Sequence, residues 1–137
     1  MQTSLLPNVI QFIAAEYGGE AERPWLRAPA YIVFRHKDNK RIYAIAATVP
    51  MTKLGWKDES PVDVLTLKLG DPLLKELLLE QEGFFPGLGF GERAWITIVL
   101  DGTVALKEIK SYIGRSFRLT ASKKTLKSQE LGQIYLP

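Results

Sequence analysis

The amino-acid sequence predicts an α+β domain, because helical and strand-like hydrophobic patterns occupy separate stretches of the chain. Apolar residues recur at helical spacing over residues 4–16, 73–81 and 104–117. Runs rich in β-branched and aromatic residues fall between these stretches and read as strands. The segment from Phe84 to Gly102 joins a glycine-rich loop, a β run and an Asp-Gly turn that precedes the last long helix. We therefore expect this segment to lie at the centre of the fold.

The first half of the chain predicts a helix followed by a β-hairpin. Ser4 is the predicted N-cap of this helix, and Pro7 falls in the first turn, where its missing N–H is tolerated. Residues 30–36 and 41–49 are two β-rich runs joined by the polar turn Lys37-Asp38-Asn39-Lys40. In the second run, apolar residues occupy both the odd and the even positions, so both faces of the strand are apolar. This predicts a central strand covered on both faces.

The second half predicts strand, helix, strand and helix. Residues 62–69 alternate, so that their leucines share one face and Lys68 lies on the other with valine and threonine. Asp71-Pro72 starts the helix over residues 73–81. Residues 94–100 form the fourth predicted strand, and Asp101-Gly102 turns the chain into the helix over residues 104–117.

Length and composition predict one domain spanning residues 1–137, in which residues 119–137 form a loosely packed tail or a short helix from about residue 122 to 131. The chain has no cysteine, which excludes disulfides, thiol catalysis and thiolate zinc sites and is compatible with a reducing cytoplasm. No apolar run approaches the length of a membrane span, and the N-terminus lacks the pattern of a signal peptide. We therefore predict a cytoplasmic protein that does not associate with membranes.

Charge is distributed unevenly along the chain. The net charge of +3 arises from two basic segments, residues 35–57 and 93–137, which flank an acidic segment over residues 58–92. If the basic segments fold onto one face, that face suits a polyanionic partner. The alternative is that a modest positive charge with a pI near 9.2 is ordinary for a globular protein.

Two groups of basic residues are candidates for contact with nucleic-acid phosphates, one at the hairpin tip and one on the outer side of the last long helix. These candidates are Arg35, His36, Lys37, Lys40, Arg41, Lys107, Lys110, Arg115 and Arg118. The alternative for both groups is a solvated surface, with the helix cations placed near its negative C-terminal end.

The sequence predicts no catalytic residues, no metal site and no cofactor. His36 is the only histidine, so a metal site near it lacks further imidazole or thiolate ligands. The glycine-rich loop lacks the Gly-Lys-Ser/Thr ending of a phosphate-binding loop, and it precedes a strand instead of a helix. Lys68, Asp63 and Glu92 are the only acid–base candidates, and strand parity turns Asp63 away from Lys68. We therefore expect a non-enzymatic binding module.

Three tryptophans support an alternative function, the binding of a small protein or peptide. Trp25, Trp56 and Trp95 would present aromatic surface on a sheet face left open by the helices. Trp25 lies between two prolines, where it either stacks on a ligand or covers the edge of the core. The predicted partners are thus DNA or a protein, and the predicted assembly is a monomer or weak dimer.

Short motifs spread from Tyr17 to Thr120 carry a family resemblance. They include Phe34-Arg35-His36-Lys37-Asp38-Asn39-Lys40, Asp71-Pro72, Pro86-Gly87 and Trp95-Ile96-Thr97 with Leu100-Asp101-Gly102. On these residues the chain resembles the MmcQ/YjbR family. The resemblance implies a two-layer α+β fold with an antiparallel sheet of about four to five strands, helices on one face and the order α-β-β-β-α-β-α. It also implies DNA binding through a wing-like arrangement.

The loop before the fourth predicted strand departs from the family pattern. The family is similar around a His-Leu/Met-Asn-Lys-x-His-Trp motif, whereas this chain reads Leu-Gly-Phe-Gly-Glu-Arg-Ala-Trp from Leu88 to Trp95. Trp95 is retained, both histidines and the Asn-Lys pair are absent, and Arg93 keeps one positive charge. Lys68 matches the strand lysine of the family. We therefore take Lys68, Arg93, Trp95 and Trp25 as candidate ligand positions and expect the function of this motif to be altered or lost.

Overall fold

The computed structural model describes residues 3–27, 30–88 and 94–135 of the chain. The described elements follow the predicted alternation, with a helix in the tail, and add one strand and one 3₁₀ helix to it. They are α1 (Leu6–Tyr17), β1 (Ile32–Arg35), β2 (Ile42–Pro50), a 3₁₀ helix (Met51–Leu54), β3 (Pro61–Lys68), α2 (Pro72–Leu79), β4 (Phe84–Pro86), β5 (Trp95–Val99), α3 (Leu106–Thr120) and α4 (Lys123–Tyr135).

The five strands form one antiparallel sheet in the order β1-β2-β3-β5-β4. The predicted α+β class is therefore confirmed. The strand order differs in part from the expected arrangement, because β4 pairs with β5 at the edge of the sheet. The sequence analysis assigned this part of the Phe84–Gly102 segment to the glycine-rich loop, since a three-residue strand that ends in proline carries almost no strand signal.

Both edges of the sheet are short or occupied. At the β1 edge, Glu22 forms an isolated antiparallel bridge with Val33. The Glu22 N–H donates to the Val33 carbonyl at 3.0 Å, and the Val33 N–H donates to the Glu22 carbonyl at 2.8 Å. At the other edge, β4 has three residues and ends at Pro86, which has no N–H to donate.

The main core lies between one face of the sheet and the helices α1 and α3. The fully buried residues of this core come from both layers, and the sheet contributes its alternate positions. They include Val9, Ile13, Leu65, Leu67, Ile96, Ile98, Ile109 and Ile113, each 0% exposed. The alternation predicted for residues 62–69 is confirmed, since Leu65, Leu67 and Leu69 all belong to this core.

The second face of the sheet is also buried in the part of the chain that the structure describes. Val33, Ile45, Thr66 and Thr97 are no more than 2% exposed. A smaller apolar cluster on Ala47, Val49, Val64 and Val99 is packed against by Tyr31, Leu54, Val62, Phe85 and Leu88. This confirms that β2 is covered on both faces.

Three predicted element ends are wrong, each for a local reason. Leu5, not Ser4, takes the N-cap position of α1, while the Ser4 hydroxyl donates to Asp63 Oδ2 at 2.6 Å. The last long helix begins at Leu106 instead of residue 104, because Asp101 Oδ1 accepts the Thr103 N–H and closes a turn first. The tail is one helix that continues to Tyr135, beyond the end predicted at residue 131.

The buried threonine pair on the second face generates a stability prediction. Thr66 and Thr97 share a hydrogen bond of 2.8 Å, and Thr97 Oγ1 also accepts the Leu88 N–H at 3.2 Å. Thr97→Val leaves that N–H and the Thr66 hydroxyl without a partner, so we expect a loss of about 1–3 kcal/mol in the free energy of unfolding. Urea titration measures this loss. Thr52→Val, at an exposed site of the 3₁₀ helix, is the control, and equal effects of the two variants would contradict the prediction.

Candidate nucleic-acid interface

The turn between β1 and β2 is closed by its own side chains. The His36 N–H donates to the Arg41 carbonyl at 2.9 Å, and the Lys40 N–H donates to the His36 carbonyl at 3.0 Å. Asn39 Oδ1 accepts the Arg41 N–H at 2.9 Å, the type of local bond that favours asparagine in turns. Lys40 adopts a left-handed φ of 63°. The sequence from His36 to Arg41 thus defines a turn of fixed shape.

This turn docks onto the C-terminal end of α3. His36 Nε2 lies 3.1 Å from the Phe117 carbonyl oxygen and 2.8 Å from Thr120 Oγ1. Asn39 Nδ2 donates to the Thr120 carbonyl at 2.9 Å. The last carbonyl groups of a helix lack partners within the helix, and the turn supplies them. The hairpin tip is therefore attached to the helical layer and is not a free wing.

Asp38 in the same turn fixes the start of α4. The Ser122 hydroxyl donates to Asp38 Oδ2, and the Thr125 hydroxyl donates to the same oxygen at 3.1 Å. Ser122 Oγ in turn accepts the Thr125 N–H at 3.1 Å, which is the bond of a helix N-cap. The hydrogen bond from Ser122 is the main cause that lowers the pKa of Asp38. The carboxylate is thus engaged with the helix start.

His36 is placed in the interior, which corrects its predicted role as a phosphate contact. Its side chain is 3% exposed, and its ring lies 5.0 Å from the ring of Tyr43 and 4.4 Å from that of Phe117. Burial lowers its pKa, against the opposing effects of the Phe117 carbonyl and Asp38. A ring held neutral and hydrogen-bonded to α3 does not reach a phosphate outside the protein.

Six exposed cations surround the docked turn, and we call them the junction surface. Lys37, Lys40 and Arg41 come from the turn, Arg118 from the last turn of α3, and Lys123 and Lys124 from the first turn of α4. The bonds of Asn39 to Thr120 and of Asp38 to Ser122 bring these three segments together. Lys123 and Lys124 were not among the predicted contacts, because the tail was expected to pack loosely.

The remaining predicted cations fall into two groups. Lys107 is exposed, and Lys110 places its Nζ 5.2 Å from the centre of the Phe12 ring, so both lie along the outer part of α3. Arg115 Nε donates to the Leu69 carbonyl at 2.8 Å. Arg35 pairs with Glu22 at 3.7 Å. Arg35 and Arg115 are half-buried and engaged within the chain, so phosphate contact is not the first role of either.

The candidate ligand positions of the family motif lie partly in the described structure. Lys68 and Trp95 are direct partners in the pairing of β3 with β5. The ring of Trp25 packs edge-to-face on Tyr31, with ring centres 5.7 Å apart. Arg93 lies outside the described residues, as do Gly89, Gly91 and Glu92 of the altered motif.

The acid–base candidates are separated in space. Asp63 accepts hydrogen bonds from Ser4 and Thr48, whereas Lys68 stands opposite Trp95. Five residues of extended strand separate Asp63 from Lys68, a distance of about 16 Å. In the part of the chain that the structure describes, no group of three His, Cys, Asp or Glu side chains is arranged to hold a metal ion. None of its helices is long and apolar enough to cross a membrane.

Comparisons with known proteins agree on one family. A family model described as YjbR matches residues 15–119. The uncharacterised protein YyaQ of Bacillus subtilis is 33% identical over 113 residues, which cover 82% of this chain and 95% of that protein. The crystal structure of a Pseudomonas syringae protein superposes with a TM-score of 0.81 and 35% identity, covering 85% of this chain and 98% of the other.

A more distant structure shows the fold alone. A Deinococcus radiodurans protein superposes with a TM-score of 0.67 at 21% identity, covering 100% of this chain and 94% of the other. The family model ends at residue 119, so Lys123 and Lys124 of the junction surface lie beyond the matched segment.

The buried state of His36 predicts a pH dependence of stability. Its folded pKa is lowered, so folding favours the neutral ring. As the pH falls below the unfolded value of about 6.5, the unfolded state binds a proton that the folded state resists, and stability is lost through the folded pKa. We expect wild type to lose more stability than His36→Gln between about pH 7.5 and pH 5.

The measurement is urea unfolding of both proteins across that pH range, with the difference between them as the result. Since His36 is the only histidine, no other imidazole contributes. Parallel curves for the two proteins would show that His36 does not titrate in this way.

Proposed function

The chain belongs to the YjbR family, and on this footing we propose that it is a non-enzymatic binding module that contacts nucleic-acid phosphates. The contact surface is the junction surface, extended along α3 by Lys107 and Lys110. DNA is the proposed partner.

One observation carries the proposal: the docking of the hairpin turn gathers cations from three separate segments of the chain. Asn39 binds the end of α3 and Asp38 binds the start of α4. Lys37, Lys40 and Arg41 therefore stand beside Arg118, Lys123 and Lys124. Asp38 lies among these cations, but its carboxylate already accepts hydrogen bonds from Ser122 and Thr125.

The composition of the surface favours contact with the backbone over the reading of bases. Four of its six cations are lysines, whose ammonium groups act as point charges toward phosphates. Phosphate contacts position a protein on nucleic acid and carry no direct sequence information. We therefore expect weak sequence preference and an affinity that depends strongly on salt.

The length of α3 sets the extent of the surface. Lys107 precedes Arg118 by eleven residues, which corresponds to about 16 Å along a helix. This distance covers about five phosphate intervals along one DNA strand. The outer side of α3 and the docked turn are thus long enough to contact several phosphates at once.

Charge reversal at two junction positions tests the proposal. Arg41→Glu with Lys123→Glu removes one cation from the turn and one from α4, neither of which donates a side-chain hydrogen bond that holds the turn. We expect binding to a labelled DNA duplex to weaken at least about tenfold, with the slope of log affinity against log salt reduced by about 2. Fluorescence anisotropy at several salt concentrations measures both quantities.

The matched control is Lys53→Glu with Lys57→Glu. These lysines follow the C-terminal end of β2, whereas the turn precedes its N-terminal end, and the change in net charge is the same. Equal weakening by both double variants would show that net charge alone governs binding. No binding by wild type at low salt would also overturn the proposal.

A further inference from the structure

We propose that the cleft between the C-terminal end of α1, the docked turn and α4 binds a small organic phosphate of about mononucleotide size. This site shares Lys37 and Lys124 with the junction surface but differs from it in kind, because it is concave and takes one ligand group instead of a polymer backbone. The proposal therefore does not rest on nucleic-acid binding by the protein.

The dimensions of the cleft fit a small ligand. Its volume is about 450 Å³, within the range of roughly 300–1,000 Å³ that is typical of small-molecule sites. α1 contributes Glu16 and Tyr17, the turn contributes Arg35, Lys37 and Asp38, and α4 contributes Lys124, Thr125, Ser128 and Gln129.

Tyr43 supplies a hydroxyl donor at the wall of the cleft. Tyr43 is 1% exposed and lines the cleft. No fully buried side-chain polar atom among the described residues lacks a hydrogen bond, so the hydroxyl counts here only as a donor at the cleft wall. Burial raises the pKa of Tyr43 to about 12, so the hydroxyl stays protonated and acts as a donor. A ligand with an oxygen acceptor is suited to this donor.

The absence of a side chain at Gly19 leaves room for the Tyr43 hydroxyl. A Cβ at residue 19 would collide with Tyr43 Oη and would lie 2.6 Å from Ile13 Cγ2. Only glycine therefore permits the Tyr43 side chain to lie where it does.

The charge at the mouth of the cleft favours an anion. Arg35, Lys37 and Lys124 line it, against Glu16 and Asp38. Asp38 is engaged by Ser122 and Thr125, and Arg35 retains donors beyond its contact with Glu22 at 3.7 Å. Arginine and lysine together with a neutral hydroxyl donor are suited to a phosphate group.

The walls of the cleft suit an organic body attached to that phosphate. The Tyr17 ring stacks on the Phe117 ring at 4.1 Å, and the Tyr43 ring meets Phe117 edge-to-face at 5.0 Å. These three residues and His36 form an aromatic wall. A planar, partly apolar group attached to a phosphate matches both the wall and the charged mouth.

Two kinds of molecule carry a phosphate attached to a planar organic group: a free mononucleotide and the phosphorylated end of a nucleic-acid strand. Calorimetric titration with adenosine 5′-monophosphate, with inorganic phosphate, and with an oligonucleotide carrying or lacking a 5′-phosphate separates them. We expect saturable binding of the mononucleotide and weaker binding of inorganic phosphate. A preference for the 5′-phosphorylated oligonucleotide over its unphosphorylated form, lost in Tyr43→Phe, would identify the strand end as a source.

Two pairs of matched variants locate the site. Tyr43→Phe removes only the hydroxyl, and Tyr112→Phe removes a hydroxyl from α3 outside the cleft. Lys124→Gln removes a lining cation, and Lys127→Gln removes an exposed cation of the same helix that lies outside both the cleft and the junction surface. We expect Tyr43→Phe and Lys124→Gln to weaken mononucleotide binding at least tenfold and the two controls to leave it within twofold. Thermal unfolding of each variant verifies that it is folded.

Three results would overturn the proposal. They are no saturable binding of the mononucleotide at millimolar concentration, equal binding of inorganic phosphate, or equal loss in the variants and their controls. The Arg41→Glu/Lys123→Glu variant keeps this outcome separate from the nucleic-acid proposal. It alters the junction surface without altering the cleft, so it should still bind the mononucleotide.

Discussion

The hydrogen bonds between the β1–β2 turn and the end of α3 are the interaction on which the arrangement of this protein depends. They join residues 81 to 84 positions apart, through His36 to Phe117 and Thr120 and through Asn39 to Thr120. Asp38 continues the same network to the first turn of α4. Ser116 and Arg115 add further hydrogen bonds between α3 and the sheet side, beside the apolar packing of the two layers.

This network also organises the chemistry of the surface. It directs His36 and Asn39 toward α3 and Asp38 toward the start of α4, so the cations beside them remain outside as a group. It engages the Asp38 carboxylate, which would otherwise offset part of their charge. It also fixes α4 across the end of α1, and the space enclosed between them is the cleft lined by Tyr43 and Lys124. The junction surface and the cleft are therefore two consequences of one docking event.

Much of the fold follows from short-range patterns in the sequence. The alternation of residues 62–69 assigns each side chain to a face because strand geometry has a period of two. The helical stripes are readable for the corresponding reason. β4 could not be predicted in this way, because three residues ending in Pro86 are too few to show the two-residue period of a strand.

The candidate site was predictable only in part. Whether a basic side chain is exposed or hydrogen-bonded within the protein depends on partners that are distant in sequence. Arg115 is engaged by a carbonyl 46 residues away, and His36 by one 81 residues away. The signal for the docking was nevertheless present in Asp38-Asn39, residues that prefer to bind nearby backbone or helix ends.

The edges of the sheet have a consequence for self-association. An exposed strand edge offers unpaired N–H and C=O groups to another chain, and long flat edges promote aggregation. Here the Glu22 bridge occupies Val33 on β1, and β4 is short and closes with a residue that has no N–H. Another chain therefore has few unpaired backbone groups to pair with at either edge.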